Sequence, residues 1–206
     1  MTTPFTYTAV RPRFPRSRGQ AGFTLIELLV TVAVFAILLA IGVPSFQNIS
    51  ASTRLTSQTN DMVSALSLAR SEAIRRGTRV TMCKSSDGST CATTGDWEQG
   101  WITFVDTTRS SSDAEVDSGE TILSVHQGEG GSVQIKGSSS LASYVSFSAD
   151  GQPKQMDSTV VSGTLRVCNT AASLGDDARA RDIALSAVGR VSTTTPSSVS
   201  DTCPSP

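Results

Sequence analysis

Residues 23–43 carry one ionisable side chain, Glu27, in an otherwise unbroken apolar run. As a helix rising ~1.5 Å per residue, that run extends roughly 32 Å, about the thickness of a bilayer's hydrocarbon core. It can therefore span a membrane, and it has no reading as part of an ordinary soluble domain. A carboxylate in a spanning helix costs on the order of 2–3 kcal/mol at mid-membrane and less near an end. Two readings account for Glu27. Either it snorkels to the headgroups from an ordinary anchor, or it meets a buried cation, because a paired carboxylate and ammonium are tolerable in low dielectric and either alone is not.

Flanking charges orient the segment. Arg11, Arg13, Arg16 and Arg18 precede it with no acid among them, so the positive-inside rule places the N-terminus in the cytoplasm and everything beyond Pro44 across the membrane. A cleaved secretory signal competes, but the run is long for a signal's apolar region and Ile41-Gly42-Val43-Pro44 lacks a small-x-small cleavage site. The stretch before the run carries Pro4, Pro12 and Pro15 and reads as disordered and disposable, with a start site further downstream left open. Formal net charge is −1; without the four leading arginines, 13 basic residues face 18 acidic ones, which weakens general attraction to nucleic acid or anionic lipid.

Beyond Pro44 the sequence turns polar but keeps a helical period. Leu55, Thr59, Met62, Leu66, Ala69 and Ala73 form one apolar stripe, Arg54, Ser57, Asp61, Ser64, Glu72 and Arg75 lie opposite, and Arg75-Arg76-Gly77 is a stop signal. The spacing predicts one helix over residues 23–76, bent or loosened at Gly42 and Pro44, with two helices broken at Pro44 as the alternative. From residue 78 the period becomes two. Candidate strands are 79–84, 100–106, 121–125, 132–136, 144–148, 164–168 and 183–186, separated by turns rich in Gly, Ser and Asp. One long helix followed by strands predicts an α+β fold with an antiparallel sheet laid on the apolar stripe. Residues 107–119 read as a mobile loop and 192–206 as a flexible tail. The expected segments are therefore 1–22, 23–44 in the membrane, 45–77 as amphipathic helix, 78–191 as the β domain, and 192–206.

Cys83, Cys91, Cys168 and Cys203 fall on the exported, oxidising side, and four cysteines allow three pairings. The preferred pairing is Cys83–Cys91, closing a short loop, and Cys168–Cys203, tying down the tail, although the sequence leaves connectivity open. The spacing does not resemble a zinc site, and the only histidine, His126, supplies no fourth ligand. No metal or cofactor is expected.

Gly22-Phe23-Thr24-Leu25-Ile26-Glu27 resembles the processing site of type IV prepilins and type II secretion pseudopilins. The resemblance implies that residues 1–22 are a leader removed by a prepilin peptidase, with cleavage between Gly22 and Phe23 and N-methylation of Phe23. It also implies that Glu27 neutralises the Phe23 amine of a neighbouring subunit when helices bundle. Farther along, Trp97-Glu98-Gln99-Gly100-Trp101-Ile102-Thr103-Phe104-Val105-Asp106 is similar to the W-x-x-G-W-x-x-F-x-D segment of the GspH/FimT/FimU branch of pilin-like proteins. Arg181-Asp182-Ile183-Ala184-Leu185-Ser186, followed by Gly189-Arg190-Val191, resembles that branch's last strand and turn. The implied fold is pilin-like. The implied role is a minor pilin priming type IV pilus assembly, with other minor and major pilins as partners. Its implied location is the bacterial inner membrane with a periplasmic domain, then the pilus or pseudopilus. A type II secretion pseudopilin serving protein export is the alternative, and a DNA-uptake subunit the second. Trp101 and Phe104 read as core residues rather than a ligand stack.

Enzymatic chemistry is not expected. His126 stands alone, the Gly128-Glu129-Gly130-Gly131 run lacks the lysine of a phosphate loop, and Asp113, Glu115, Asp117, Asp176 and Asp177 lack the spacing of a calcium loop. Some members of the resembling branch bind DNA through a Gly-Arg-x-Arg turn. Here the turn reads Gly189-Arg190-Val191-Ser192, without the second arginine. Arg179, Arg181 and Arg190 remain weak DNA-binding candidates, interspersed with Asp176, Asp177 and Asp182, and nucleic acid is disfavoured as a partner.

Overall fold

The computed structural model describes residues 22–108 and 112–206. The expectations for residues 1–21, including the four arginines and three prolines, lie outside the described residues. The chain divides into two compact units, one ending at Ile41 and the other covering Gly42–Pro206.

Helix α1 runs over Leu25–Arg76 without interruption at Pro44, so the two-helix alternative does not occur. It begins two residues later than predicted because Thr24 acts as the cap: its hydroxyl accepts the Glu27 N–H at 3.2 Å. Thr24-x-x-Glu27 is the sequence pattern of a capping box. At the other end, Arg75 and Arg76 occupy the last turn and Gly77, at φ +64°, turns the chain away.

All six residues of the predicted stripe are buried, joined by Ala51 and Gln58. Against them pack two four-stranded antiparallel sheets. The first has the order β3-β2-β1-β5, with β1 at Val80–Lys84, β2 at Gly100–Val105, β3 at Ile122–Gln127 and β5 at Tyr144–Phe147. The second has the order β4-β6-β7-β8, with β4 at Val133–Gly137, β6 at Gly163–Asn169, β7 at Ala180–Leu185 and β8 at Val191–Thr194. The single sheet expected from local alternation is thus two. The reason is long-range: β4 pairs with β6, Ile135 opposite Val167, instead of continuing the first sheet. Met82 and Phe147 from one sheet and Ile135, Leu165 and Ile183 from the other enter one core with Leu55, Met62 and Leu66. Each such side chain contributes about 1.5–3 kcal/mol by burial. Trp97 closes the core, its indole N–H donating to the Leu141 carbonyl at 3.0 Å.

Of the loop expected over 107–119, residues 109–111 lie outside the described residues, while described parts of it and of the tail make defined contacts. Ala114 and Val116 pack on a second apolar cluster made of Cys83, Ile102, Phe104, Tyr144 and Met156. The Glu120 carboxylate accepts the N–H groups of Thr107 and Thr108 at 2.7 and 3.1 Å. At the C-terminus, residues Val191–Thr194 form a strand, not a tail, and Val199 and Cys203 are buried with Cys168 and Ala180. One buried polar contact joins sheet to helix: Asn169, at the end of β6, donates from Nδ2 to the Ala51 carbonyl at 3.0 Å.

Candidate functional site

In the N-terminal unit every large apolar side chain from Phe23 to Ile41 is exposed, from 46% at Leu39 to 82% at Phe23. The exposure surrounds the helix, so only lipid or other helices can cover it. Glu27 sits in the first helical turn, where the partial positive charge of the free N–H groups favours a carboxylate. Phe23 lies just outside the helix, ahead of the Thr24 cap. A single carboxylate therefore stands at a capped helix start, in a segment with no other charge among the described residues, and it is costly to bury without a partner.

The remaining candidates are in the second unit. Arg179 is 5% exposed and internally committed. Its guanidinium donates to Asp176 Oδ1 at 3.0 Å, to the Asn169 carbonyl at 3.3 Å and to the Leu174 carbonyl. It braces a loop and cannot grip phosphate. Arg181 is half-buried and bonds the carbonyls of Ala180 and Ala178 at 2.7 and 3.2 Å. Arg190 is exposed, but it follows the far end of β7, whose Leu185 pairs with Val191 while Arg181 pairs with Val167. Four residues of strand, ~13 Å, separate the ends. The three arginines do not form one patch. Nor is Asp182 free to oppose them: Arg166 holds it through two hydrogen bonds of 2.7 and 2.8 Å, which raise the arginine's pKa.

Sulfur bonds join Cys83 to Cys91 and Cys168 to Cys203. His126 stacks on Trp101, with ring centroids 3.9 Å apart and planes 9° from parallel. Among the described residues no group of three or more His, Cys, Asp or Glu could hold a metal ion.

One arrangement escaped sequence reasoning. Arg70 reaches from α1 to two loops, donating from Nε to the Gly151 carbonyl and from Nη2 to the Val188 carbonyl, both at 3.0 Å. Gly189 lies at φ +77°, and a Cβ there would stand 2.2 Å from the Gly151 carbonyl oxygen. Only glycine fits. Arg70 and Gly189 together set the direction of Arg190.

The family model described as type II transport protein GspH matches residues 58–189. The chain belongs to the GspH family. The prokaryotic N-terminal methylation motif matches residues 17–43, which carry Phe23 and Glu27. Members of this minor pilin and pseudopilin family are structural subunits, not known as enzymes. An N-terminal methylation motif is what prepilin peptidase recognises. A Pseudomonas aeruginosa fimbrial protein is 43% identical over 63 residues, covering 31% of this chain and 40% of that protein. The Escherichia coli K12 prepilin peptidase-dependent protein D is 37% identical over 75 residues, covering 36% of this chain and 51% of that protein. The chain thus spans about half or less of the curated relatives it matches. A crystal structure of the P. aeruginosa type IV minor pilin FimU superposes with a TM-score of 0.45 at 21% identity, covering 72% of this chain and 97% of that one. Within the GspH family frame, the long helix with its exposed apolar half and the antiparallel domain are the expected parts.

Proposed function

We propose that this chain is a minor pilin that primes type IV pilus assembly at the filament tip. The observation that carries the reading is the N-terminal unit, a capped helix start with Glu27 in its first turn, followed by apolar side chains exposed on all sides. In the proposed sequence of events residues 23–44 sit in the bacterial inner membrane with residues 1–22 in the cytoplasm and the β domain in the periplasm. Prepilin peptidase cuts between Gly22 and Phe23 and the Phe23 amine is methylated. The amine of one subunit then pairs with Glu27 of the next, and burial of the apolar faces holds the bundle.

Two measurements test this. Mass spectrometry of the mature N-terminus is expected to find methylated Phe23; an intact leader or a cut elsewhere sinks the reading. Glu27→Ala is expected to insert normally but to lose filament incorporation by about a hundredfold or more, the scale of a buried charge left without its partner at about 3–5 kcal/mol. Normal incorporation of that variant removes the charge-pairing role. The match to the family described as type II transport protein GspH supports a second reading, a pseudopilin serving protein export. Deletion separates the two: loss of surface pili and twitching supports the first, loss of an exported enzyme the second.

A further inference from the structure

Besides the N-terminal unit, the second unit has a surface with an unmet requirement. Along the exposed flank of the last turns of α1 runs an open cleft of about 390 Å³, walled by Ser67, Arg70, Ile74, Arg190 and Val191. Its rim is apolar, with Ile74 52% and the adjoining Val188 64% exposed. Its floor is cationic. Arg70 spends donors on the Gly151 and Val188 carbonyls, which fixes its position without neutralising it. No carboxylate among the described residues forms an ion pair with Arg70 or Arg190. Nearby acids are already engaged: Glu72, two residues from Arg70, with Arg75 and Arg76, Asp150, beside Gly151, with Lys154, and Asp182, the acid nearest Arg190 in sequence, with Arg166. The cleft is therefore positive in a chain with more acidic than basic residues, and it is pre-formed, because Gly189 and Arg70 lock the turn that bears Arg190.

We infer that this cleft is a docking site for a carboxylate-bearing segment, flanked by apolar residues, on the globular domain of a neighbouring pilin. The inference rests on the assembly reading above and names the chemistry by which the domain selects its neighbour. Arg190 supplies the contact and Arg70 is a positioning residue. A guanidinium walled by Ile74 and Val188 pairs with a carboxylate at lower effective dielectric than on an open surface, which strengthens the pair and excludes a like-charged neighbour. A nucleic-acid backbone is the poorer match. It presents a row of phosphates, which calls for a row of exposed cations, whereas this cleft offers one uncommitted guanidinium between apolar rims.

The test uses the full-length chain in assembling cells, with a photo-crosslinking amino acid replacing Val188 and the product identified at residue level by mass spectrometry. The expected product is a peptide of another processed pilin containing Asp or Glu beside apolar residues. Adding Arg190→Glu is expected to lower its yield about tenfold or more, the scale of an interfacial charge pair. Lys136→Glu, on β4 at the opposite edge of the second sheet, is expected to change it less than about twofold, since a charge remote from the contact contributes little. Converting the partner's acid to Lys is expected to restore the crosslink to the Arg190→Glu chain. Unchanged tryptophan fluorescence in Arg190→Glu confirms that the domain stays folded. Crosslinking to nucleic acid or to a second copy of this chain, or a yield indifferent to Arg190, overturns the inference. Should mass spectrometry find an intact leader while the crosslink keeps its dependence on Arg190, the assembly reading falls and the cleft contact stands.

Discussion

Leu55, Met62 and Leu66 are sealed from solvent, while Leu29, Phe35 and Ile37, the same kind of residue on the same helix, are more than half exposed. Side-chain type does not account for the difference, since all six residues are large and apolar. Pattern accounts for it. From Ala51 onward the buried residues form one stripe and two sheets close over it, with Leu68 and Ile74 outside it. Before Pro44 the apolar residues occupy every face and all stay exposed. The first arrangement is completed within the chain and belongs to folding. The second is left open within the chain, and under the assembly proposed above it is completed by other molecules.

Substitutions can break that division. Leu66→Ala is expected to destabilise the domain by about 2–5 kcal/mol, the range for truncating a buried leucine. Ile37→Ala is expected to leave domain stability unchanged within about 0.5 kcal/mol. Urea unfolding of the full chain, followed by the fluorescence of buried Trp97 and Trp101, measures both. If Ile37→Ala shifted the midpoint as Leu66→Ala does, the two stretches would not be energetically separate. Gly189→Ala sharpens the comparison on the domain side. With Gly151's carbonyl 2.2 Å from the added Cβ and a φ of +77°, we expect a loss of about 1–3 kcal/mol in the same experiment, with membrane insertion untouched.

The smallest effect is electrostatic. Hydrogen bonds from Arg75, then Arg76, lower the Glu72 pKa from 4.5 to about 2. A folded-state value below the unfolded one means that the stabilisation is fully present above pH 4.5 and is lost as pH falls through about 2. The difference in midpoint between wild type and Glu72→Gln should therefore be constant near neutrality, shrink between those pH values and vanish at the lower one. A difference that persisted at pH 2 would assign Glu72 a packing role instead.

Much of the helix was legible because its signals are local. All six residues of the stripe expected from Leu55 to Ala73 are buried, Gly77 marked the helix exit, and the start lies two residues beyond the expected Phe23. Ala51 and Gln58 escaped notice: a small residue and an amide carry little hydrophobic signal, and their burial comes from what crosses over them. Strand β8 was hidden by composition, since Val191-Ser192-Thr193-Thr194 lies at a sheet edge, where polar side chains face water and mimic a low-complexity tail. The division into two sheets depends on pairings such as Ile135 with Val167 across more than thirty residues, which no periodicity encodes. Glu27 stood out as a charge in an apolar run. The arginines were harder to read, because a guanidinium reaches far enough for its environment to be set by distant loops. Arg179 proved internal, and Arg70, unremarked on the helix flank, proved to hold the turn bearing Arg190.

Asn169 has a mechanical consequence. Its amide grips the Ala51 carbonyl at 3.0 Å while its own Oδ1 takes the Ala171 N–H at 2.9 Å, at the first buried position of the stripe. Tension drawn along α1 from its N-terminal side reaches the β domain here before it reaches Leu55 or any residue beyond. β6 has hydrogen-bonded neighbours on both sides, so a load entering at Asn169 meets an interior strand of the sheet rather than an edge.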